Sequence, residues 1–319
     1  MIDSNWRRLP TGYFTHQLVE LPNPLENAPE SPERIEAIET RLMAGGVDDI
    51  LRRVDCGPAP RETVLLAHDA DYLADLERAS AGDAEALKRF SEPDTKVGPD
   101  TFRCAMASAG AVVRAVDELF TRTVKNAFCA VRPPGHHAWR NRASGFCYLN
   151  NVAIGALYAR ARYKLERIAV LDFDVHHGDG TESILAGLPQ FRFFSLFQWP
   201  LFPFTRMEPT PENVVATPLA AGAEGHVLSD VVEHIWLPAL EAYKPQLVLL
   251  SAGFDAHVEE HMAQLKAAEI DYARMTRRLV RAAGELCEGR LVSVLEGGYA
   301  VRSLARSVLT HIQGLVRND

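Results

Sequence analysis

Short apolar runs alternate along the chain with longer segments of helical periodicity. The runs are rich in β-branched and aromatic residues and are bounded by turn residues, which predicts five buried strands: Ala127–Val131, Ile168–Phe173, Phe191–Leu196, Leu247–Ser251 and Leu291–Leu295. The segments of period 3.6 predict helices over 101–120, 151–164, 226–243, 268–287 and 301–316. Proline- and glycine-rich stretches predict long surface loops at 22–32, 91–100 and 199–222.

This alternation of strands and helices predicts an α/β fold whose mainly parallel sheet carries helices on both faces. We find no internal repeat and no flexible linker, and 319 residues suit a single large domain over 1–319. No segment approaches eighteen uninterrupted apolar residues, so we expect no membrane span.

Charge and cysteine usage exclude further classes. The formal net charge is −8 and the basic residues are scattered, so we expect no direct binding to nucleic acid. The five cysteines are widely spaced and form no Cys-x-x-Cys pair, which argues against a disulfide framework and indicates a reducing compartment. The polar N-terminal segment does not resemble a signal peptide. We therefore expect a cytoplasmic protein, and the sequence does not indicate its oligomeric state.

Four of the predicted strands are followed by clusters of polar, metal-capable or glycine residues. These clusters are Arg132–His137, Asp172–Gly180, Ala252–His257 and Glu296–Tyr299. In open α/β sheets ligands bind outside the carboxyl ends of the strands, so the clusters are expected to converge on one active site.

Two of these clusters offer ligands for a metal. Asp174 and His176 are two residues apart at a strand end, so both side chains can face the same way, and Asp255 follows another buried strand. Three protein ligands leave a coordination position open, which is typical of a catalytic metal. The alternative is that these residues are strand-end caps and turn residues, as Asp often is. The nearby His-His-Gly-Asp-Gly segment favours the metal.

The other clusters offer groups for proton transfer. His136 and His137 follow a buried strand, and imidazoles beside a metal suit general acid and base catalysis at neutral pH. Asp172 and Asp179 are available to fix their tautomers. Tyr299 follows two glycines and can donate to an oxyanion, although such a segment is more often a turn with a packed aromatic ring. We interpret His177 and His257 as structural.

The motifs that carry these residues resemble those of the histone deacetylase family, especially its class-II-like and bacterial members. They are RPPGHHA (132–138), GFCYLNN (145–151), DFDVHHGDGT (172–181), SAGFDAH (251–257) and EGGY (296–299), in the order that the family has them. Similarity also extends to PESPERIEAI near the N-terminus and to DTFRCAMASAGAV, so the resemblance covers nearly the whole chain.

The resemblance implies the arginase–deacetylase fold and a deacylase that hydrolyses an N-acyl, typically N-acetyl, lysine or a similar acylated amine to a carboxylate and a free amine. It implies one Zn²⁺ per chain, with Fe²⁺ as an alternative, on Asp174, His176 and Asp255. It makes His136 and His137 the acid/base pair, with Asp172 and Asp179 as their partners, and Tyr299 the residue that polarises the carbonyl. It further implies a substrate tunnel lined by Gly145, Phe146 and Phe202, with Met262 at its gate, and a K⁺ or Na⁺ site at Asp172, Asp174, His176, Ser195 and Leu196. Asp94 matches an acidic loop residue that holds the substrate backbone in relatives, and the alternative is a solvated loop carboxylate.

Some positions depart from the family pattern. Ala28-Pro29-Glu30 replaces the usual His-Pro-Glu, which we interpret as a change in an outer loop away from the chemistry. Asp179 stands where many class-II-like relatives have Asn, so we expect a more basic His137. The loop after Trp199 lacks the Pro-Gly-Thr-Gly turn of relatives, which leaves the tunnel rim open to question.

The substrate remains a choice between acyl-lysine and acetylated polyamines. Polyamine-specific members of the family carry a gatekeeping glutamate at the position where this chain aligns Met262, which favours acyl-lysine. Glu259 and Glu260 keep the polyamine alternative open. An arginase-like hydrolase would need a second set of metal ligands, and a catalytically inactive acyl-lysine-binding protein would not need Tyr299 or both histidines.

Overall fold

Eight parallel strands form one sheet in the computed structural model, which describes residues 4–204 and 210–317. In chain order they are β1 (Thr11–Thr15), β2 (Leu51–Asp55), β3 (Asn126–Cys129), β4 (Ile168–Asp172), β5 (Phe191–Gln198), β6 (Val214–Leu219), β7 (Leu247–Ala252) and β8 (Leu291–Leu295). Across the sheet the order is β2-β1-β3-β8-β7-β4-β5-β6.

Helices cover both faces of this sheet. Among the described residues they are α1 (Glu33–Ala44), α2 (Arg61–Val64), α3 (Ala70–Ser80), α4 (Ala84–Leu87), α5 (Thr101–Phe120), α6 (Asn151–Tyr163), α7 (Asp179–Leu185), α8 (Gly225–Val231), α9 (Leu237–Tyr243), α10 (Glu269–Cys287) and α11 (Val301–Val316). A π-helical segment, Val232–Trp236, joins α8 to α9. In the described part of the chain, no helix has the length and apolar character that crossing a membrane requires.

The apolar core consists of two layers, one on each side of the sheet. Val170 of β4 packs in the layer that contains α5 and α6, whereas its neighbour Leu171 packs in the layer that contains α1, α10 and α11. Successive side chains of a strand point to opposite faces, so a strand covered on both faces is apolar throughout. The central strands β3, β4, β7 and β8 are accordingly buried along their whole length.

The five predicted strands and the parallel α/β architecture are confirmed. Three strands, β1, β2 and β6, were not predicted. The prediction of a loop over the whole of 199–222 is wrong, because β6 occupies Val214–Leu219 as an edge strand. β6 contains Pro218 and is only partly buried, and β2 at the other edge has two consecutive exposed arginines, so neither gives a continuous apolar run.

The helix predicted over 226–243 is interrupted. The structure divides it into α8, the π-helical segment and α9, since Pro238 near the start of α9 cannot donate a backbone hydrogen bond. Helices α1 and α3 near the N-terminus were not predicted. The other predicted helices correspond to α5, α6, α10 and α11 within a residue.

Candidate active site and metal centre

The three predicted metal ligands meet at the carboxyl edge of the sheet. Asp174 and His176 follow β4, Asp255 follows the adjacent β7, and all three side chains are buried. One ligand atom from each lies within 4.8 Å of the other two. His176 Nδ1 is 2.9 Å from Asp174 Oδ1 and 3.2 Å from Asp255 Oδ2.

Backbone amides fix the two carboxylates. Val175 N donates to Asp255 Oδ1 at 2.9 Å, and Gly297 N donates to Asp174 Oδ2 at 2.8 Å. Asp255 Oδ2 is buried and accepts no hydrogen bond from the described residues. A buried carboxylate oxygen without a donor is costly unless a cation meets it, so this donor set fits a divalent metal.

Two glycines make room for this cluster. A Cβ at Gly253 would lie 2.0 Å from Asp174 Oδ2, and a Cβ at Gly297 would lie 2.1 Å from Asp255 Oδ2. No real Cβ atom tolerates such distances, and no positive φ is recorded at either residue. Glycine is therefore required at both positions by space and not by backbone conformation.

The charges in the cluster are strongly coupled. Burial raises the pKa of Asp174, but the adjacent His136 and His176 outweigh burial and hold that pKa well below its ordinary value. Burial and the charge of Asp174 raise the pKa of Asp255 to about 6. Burial lowers the pKa of His176, yet its hydrogen bond to Asp174 and its close contact with the charge of Asp255 prevail and raise the pKa to about 10. A metal bound here would displace the His176 proton, which couples metal affinity to pH.

The histidine pair lies directly beside the metal ligands, and each imidazole has its own carboxylate. His136 Nδ1 is 3.0 Å from Asp172 Oδ2, and His137 Nδ1 is 2.7 Å from Asp179 Oδ1. The two rings are 4.0 Å apart, and His136 Nε2 is 3.8 Å from Asp174 Oδ1. These contacts engage Nδ1 of each ring with a carboxylate and leave Nε2 for the reaction.

The two imidazoles differ in basicity. Burial lowers the pKa of His136, but the charges of Asp174 and Asp172 prevail and raise it well above its ordinary value. Burial and the charge of His136 lower the pKa of His137 to about 4. Asp179 raises the pKa of His137, as we expected from the sequence, but burial and His136 outweigh it. The pKa values of the two imidazoles are thus shifted in opposite directions.

Trp139 completes the surroundings of Asp179. Its indole Nε1 donates to Asp179 Oδ2 at 2.7 Å, on the oxygen that His137 does not use. Sequence reasoning missed this residue, and its place directly after the His-His-Ala segment was the available signal.

Tyr299 is partly buried and lies two residues before the start of α11. Its ring contacts Phe146 with centroids 5.7 Å apart, and the guanidinium carbon of Arg34 lies 5.0 Å from the centre of the ring. Burial raises the pKa of Tyr299 well above its ordinary value, against the opposing charge of Arg34. The hydroxyl therefore stays protonated and can donate to an oxyanion.

Two aromatic rings flank the approach to these groups. Phe202 contacts His137 with ring centroids 5.0 Å apart, and Phe146 contacts Tyr299 from the other side. Gly145 lies between them, with φ +55°, and a Cβ there would lie 2.5 Å from the ring of His137 and 3.0 Å from Phe202. The three predicted tunnel residues are thus brought together. Residues 205–209, in the loop that lacks the Pro-Gly-Thr-Gly turn, lie outside the described residues.

Asp94 is tied to this wall through Thr95. The Thr95 hydroxyl donates to Asp94 Oδ1 at 2.7 Å and accepts from the backbone amide of Phe146 at 2.9 Å. Thr95 was missed because a single threonine in a predicted loop gives no functional signal. Met262 is 39% exposed, and its loop borders the tyrosine segment because the nearby Glu260 binds the backbone of Tyr299.

The residues predicted to hold a monovalent cation come from adjacent strands. Asp172 of β4 is the register partner of Ser195 in β5, and Leu196 follows in the buried part of β5. Asp174 and His176 continue the chain from β4. This site stays a prediction. His177 bridges Ser195 Oγ at 3.0 Å and Glu182 at 2.7 Å, away from the metal ligands.

The interpretation of Ala28-Pro29-Glu30 as an outer loop away from the chemistry is wrong. Glu30 is 2% exposed and accepts from Arg132 Nη2 at 2.9 Å, and it also pairs with Arg34. Arg34 Nε in turn donates to the carbonyl of Gly298 at 2.7 Å. Glu30 is therefore the carboxylate partner of two buried guanidiniums, beneath the segments that carry the histidine pair and Tyr299.

Comparison with known proteins agrees with this site. Residues 28–315 match the family model described as the histone deacetylase domain. The chain belongs to the histone deacetylase family. Polyamine deacetylase HDAC10 of Mus musculus is 34% identical over a 303-residue alignment that covers 90% of this chain and 45% of that protein. The histone deacetylase-like amidohydrolase of Pseudomonas aeruginosa is 34% identical over a 278-residue alignment that covers 85% of this chain and 72% of that protein.

The fold is shared with solved members of the family. The crystal structure of the HDA15 HD domain superimposes with a TM-score of 0.87 at 29% identity, over 97% of this chain and 89% of that chain. The chain spans less than half the length of the HDAC10 protein.

Proposed function

We propose that this chain is a zinc-dependent deacylase that hydrolyses the amide of an N-acyl lysine to a carboxylate and a free amine. One observation carries the proposal. A buried oxygen of Asp255 that accepts no hydrogen bond from the described residues lies in a three-ligand cluster, beside two imidazoles that each contact their own carboxylate. Ligands, proton-transfer groups and an oxyanion donor are thereby collected at one sheet edge, as amide hydrolysis requires.

The side chains divide the work. The neutral imidazole of the pair accepts the proton of the attacking water, since its pKa is lowered, and the imidazolium protonates the leaving amine. Tyr299 donates from its hydroxyl to the oxyanion. Phe146 and Phe202 hold the alkyl chain of the substrate and exclude water. Zinc bound at the three ligands would act as a Lewis acid and lower the pKa of water.

One His and two carboxylates suit Zn²⁺ as the single catalytic ion, and Fe²⁺ is the alternative metal. We propose a structural K⁺ or Na⁺ at Asp172, Asp174, His176, Ser195 and Leu196. The five cysteines are free, which supports a reducing, cytoplasmic location.

The loop after Asp255 favours acyl-lysine over a polyamine. Glu260 is buried against backbone amides, and Glu259 pairs with Arg306 of α11 at 2.6 Å. Both carboxylates therefore have partners other than a distal ammonium group, which leaves Met262 as the residue at the mouth. The alternative, an acetylpolyamine amidohydrolase, is favoured by the similarity to a protein named polyamine deacetylase.

Two other classes are separated by simple measurements. Among the described residues the sheet edge gathers one buried metal-capable group, whereas an arginase-like hydrolase needs two adjacent ions. Metal stoichiometry tests this difference. An inactive acyl-lysine-binding protein would have no need for the paired histidines and Tyr299, and turnover excludes it.

The test compares turnover of an acetyl-lysine peptide with that of N-acetylputrescine, with zinc content measured in the same samples. We expect the wild type to prefer the peptide and Met262→Glu to shift the ratio of kcat/KM at least tenfold toward the polyamine. Val258→Glu is the matched control, because Val258 lies exposed on the same loop and gains the same charge. An equal shift in both variants would refute the role of Met262, and no turnover by zinc-loaded wild type would refute the proposed activity.

A further inference from the structure

Glu260 carries a buried carboxylate that the proposed chemistry does not use. Its side chain is 8% exposed. Oε2 accepts from the backbone amides of Tyr299 at 2.7 Å and Ala300 at 3.0 Å. Oε1 accepts from the amides of His261 at 2.8 Å and Met262 at 3.4 Å. The carboxylate thus joins the loop that carries Met262 to the segment that carries Tyr299.

The tyrosine segment needs such support. It begins with Gly297 and Gly298, the latter with φ +117°, so its own backbone preferences do not fix the position of Tyr299. Arg34 binds this segment through the carbonyls of Glu296 and Gly298. Arg34 and Glu260 therefore hold opposite hydrogen-bonding groups of one short segment.

We propose that Glu260 is a positioning residue for Tyr299, which it holds through the backbone amides of Tyr299 and Ala300. The inference rests on the proposed function, because it requires that the position of the Tyr299 hydroxyl limits the rate of hydrolysis. Displacing a catalytic group by about 1 Å can reduce a rate about 100-fold. Glu260 touches no reacting atom in this scheme and acts only through the tyrosine segment.

A purely stabilising role is the competing explanation. Ala300 precedes α11 and has no side-chain oxygen to cap that helix, and a carboxylate at a helix N-terminus stabilises it. A helix cap would affect stability without a specific effect on Tyr299. The two roles differ in how a substitution at Glu260 combines with one at Tyr299.

The decisive experiment is a double-mutant cycle on the zinc-loaded protein with Glu260→Gln and Tyr299→Phe. The amide of Gln retains one acceptor oxygen and points donors at the other pair of amides. We expect Glu260→Gln to lower kcat roughly 10- to 100-fold with KM within about twofold, and to lower kcat less than about twofold further in the Tyr299→Phe background. Equal losses in both backgrounds would show a merely structural role and overturn the proposal.

Two controls keep the outcome interpretable. Glu259→Gln removes the neighbouring exposed carboxylate, which pairs with Arg306, and we expect it to leave kcat unchanged. Glu260→Asp retains the charge on a shorter side chain and is expected to give an intermediate kcat. It replaces Glu260→Gln in the cycle if the latter does not fold.

Hydrogen exchange tests the contact between Glu260 and the backbone amides of Tyr299 and Ala300 without an activity measurement. In a peptide that covers 296–302, we expect the amides of Tyr299 and Ala300 to exchange faster in Glu260→Gln than in wild type and Glu259→Gln. Faster exchange with unchanged kcat would overturn the positioning role. Faster exchange in a protein whose wild type turns over no acylated amine would refute the proposed function while the contact stands.

Discussion

Replacing Gly297 by alanine would place a methyl group inside the metal site. The added Cβ would lie 2.1 Å from Asp255 Oδ2 and 2.6 Å from Asp174 Oδ2. Ordinary contacts of a Cβ begin near 3.4 Å, so each carboxylate oxygen, or the backbone of the segment, must shift by roughly 1 Å. Neither carboxylate can move freely, because each is also held by a backbone amide.

The magnitude follows from two effects. Overpacking of a buried site costs about 1–3 kcal/mol of unfolding free energy. Metal-ligand distances tolerate only about 0.2 Å of error, and disturbing even the groups behind the ligands reduces affinity about 10- to 100-fold. We therefore expect Gly297→Ala to lower zinc affinity at least about 100-fold, in addition to its loss of stability.

Zinc affinity is measured by competition with a chelator of known affinity, and stability by urea unfolding of the metal-free protein. Gly57→Ala is the matched control, because Gly57 has no atom within 4 Å of an added Cβ and no positive φ recorded. Wild-type zinc affinity in Gly297→Ala would refute the assignment of Asp174 and Asp255 as ligands.

Two further predictions concern buried charge. Glu30→Ala leaves Arg132 buried without its carboxylate, so we expect the free energy of unfolding in urea to fall by about 3–5 kcal/mol. The control is Glu26→Ala at an exposed position, which we expect to cost less than about 0.5 kcal/mol. Similar losses in the two variants would refute the buried ion pair between Glu30 and Arg132. Burial lowers the pKa of His311 to about 3. Below pH 6.5 the unfolded chain therefore binds a proton at this imidazole, whereas the native state does not. The contribution of His311 to stability is complete above pH 6.5 and is lost as the pH falls. Between pH 7 and pH 4 the free energy of unfolding of the wild type should therefore fall by ~3 kcal/mol more than that of His311→Asn. Parallel profiles of unfolding free energy against pH in the two proteins would contradict this prediction.

The parts of the fold that were predictable are those buried on both faces. β4 and β7 are apolar throughout because helices cover each side of them, and that pattern survives in the sequence. β2 and β6 lie at the sheet edges, where exposed positions interrupt the pattern and Pro218 is tolerated. An edge strand, which pairs with a neighbour on one side only, is therefore difficult to recognise from its composition.

The site shows a similar division. Asp174, His176 and the histidine pair could be predicted because metal binding and proton transfer restrict which residue types serve. Arg34 and Glu30 could not, since an arginine or glutamate has many uses and these act across the chain. Arg34 and Gly298, for example, are 264 residues apart in sequence and 2.7 Å apart at the bonded atoms.

Bonds from distant charged side chains explain how the tyrosine segment can contain two glycines and still have a fixed backbone conformation. Asp174 binds the amide of Gly297, Arg34 binds the carbonyl of Gly298, and Glu260 binds the amide of Tyr299. Each bond joins a charged side chain to the backbone, and such bonds are stronger than those between neutral groups. Glu260 also accepts from the amide of Met262, so the loop that we propose to form the tunnel mouth and the segment of Tyr299 are held by the same carboxylate. A substitution that moves this loop is therefore expected to change kcat as well as substrate preference.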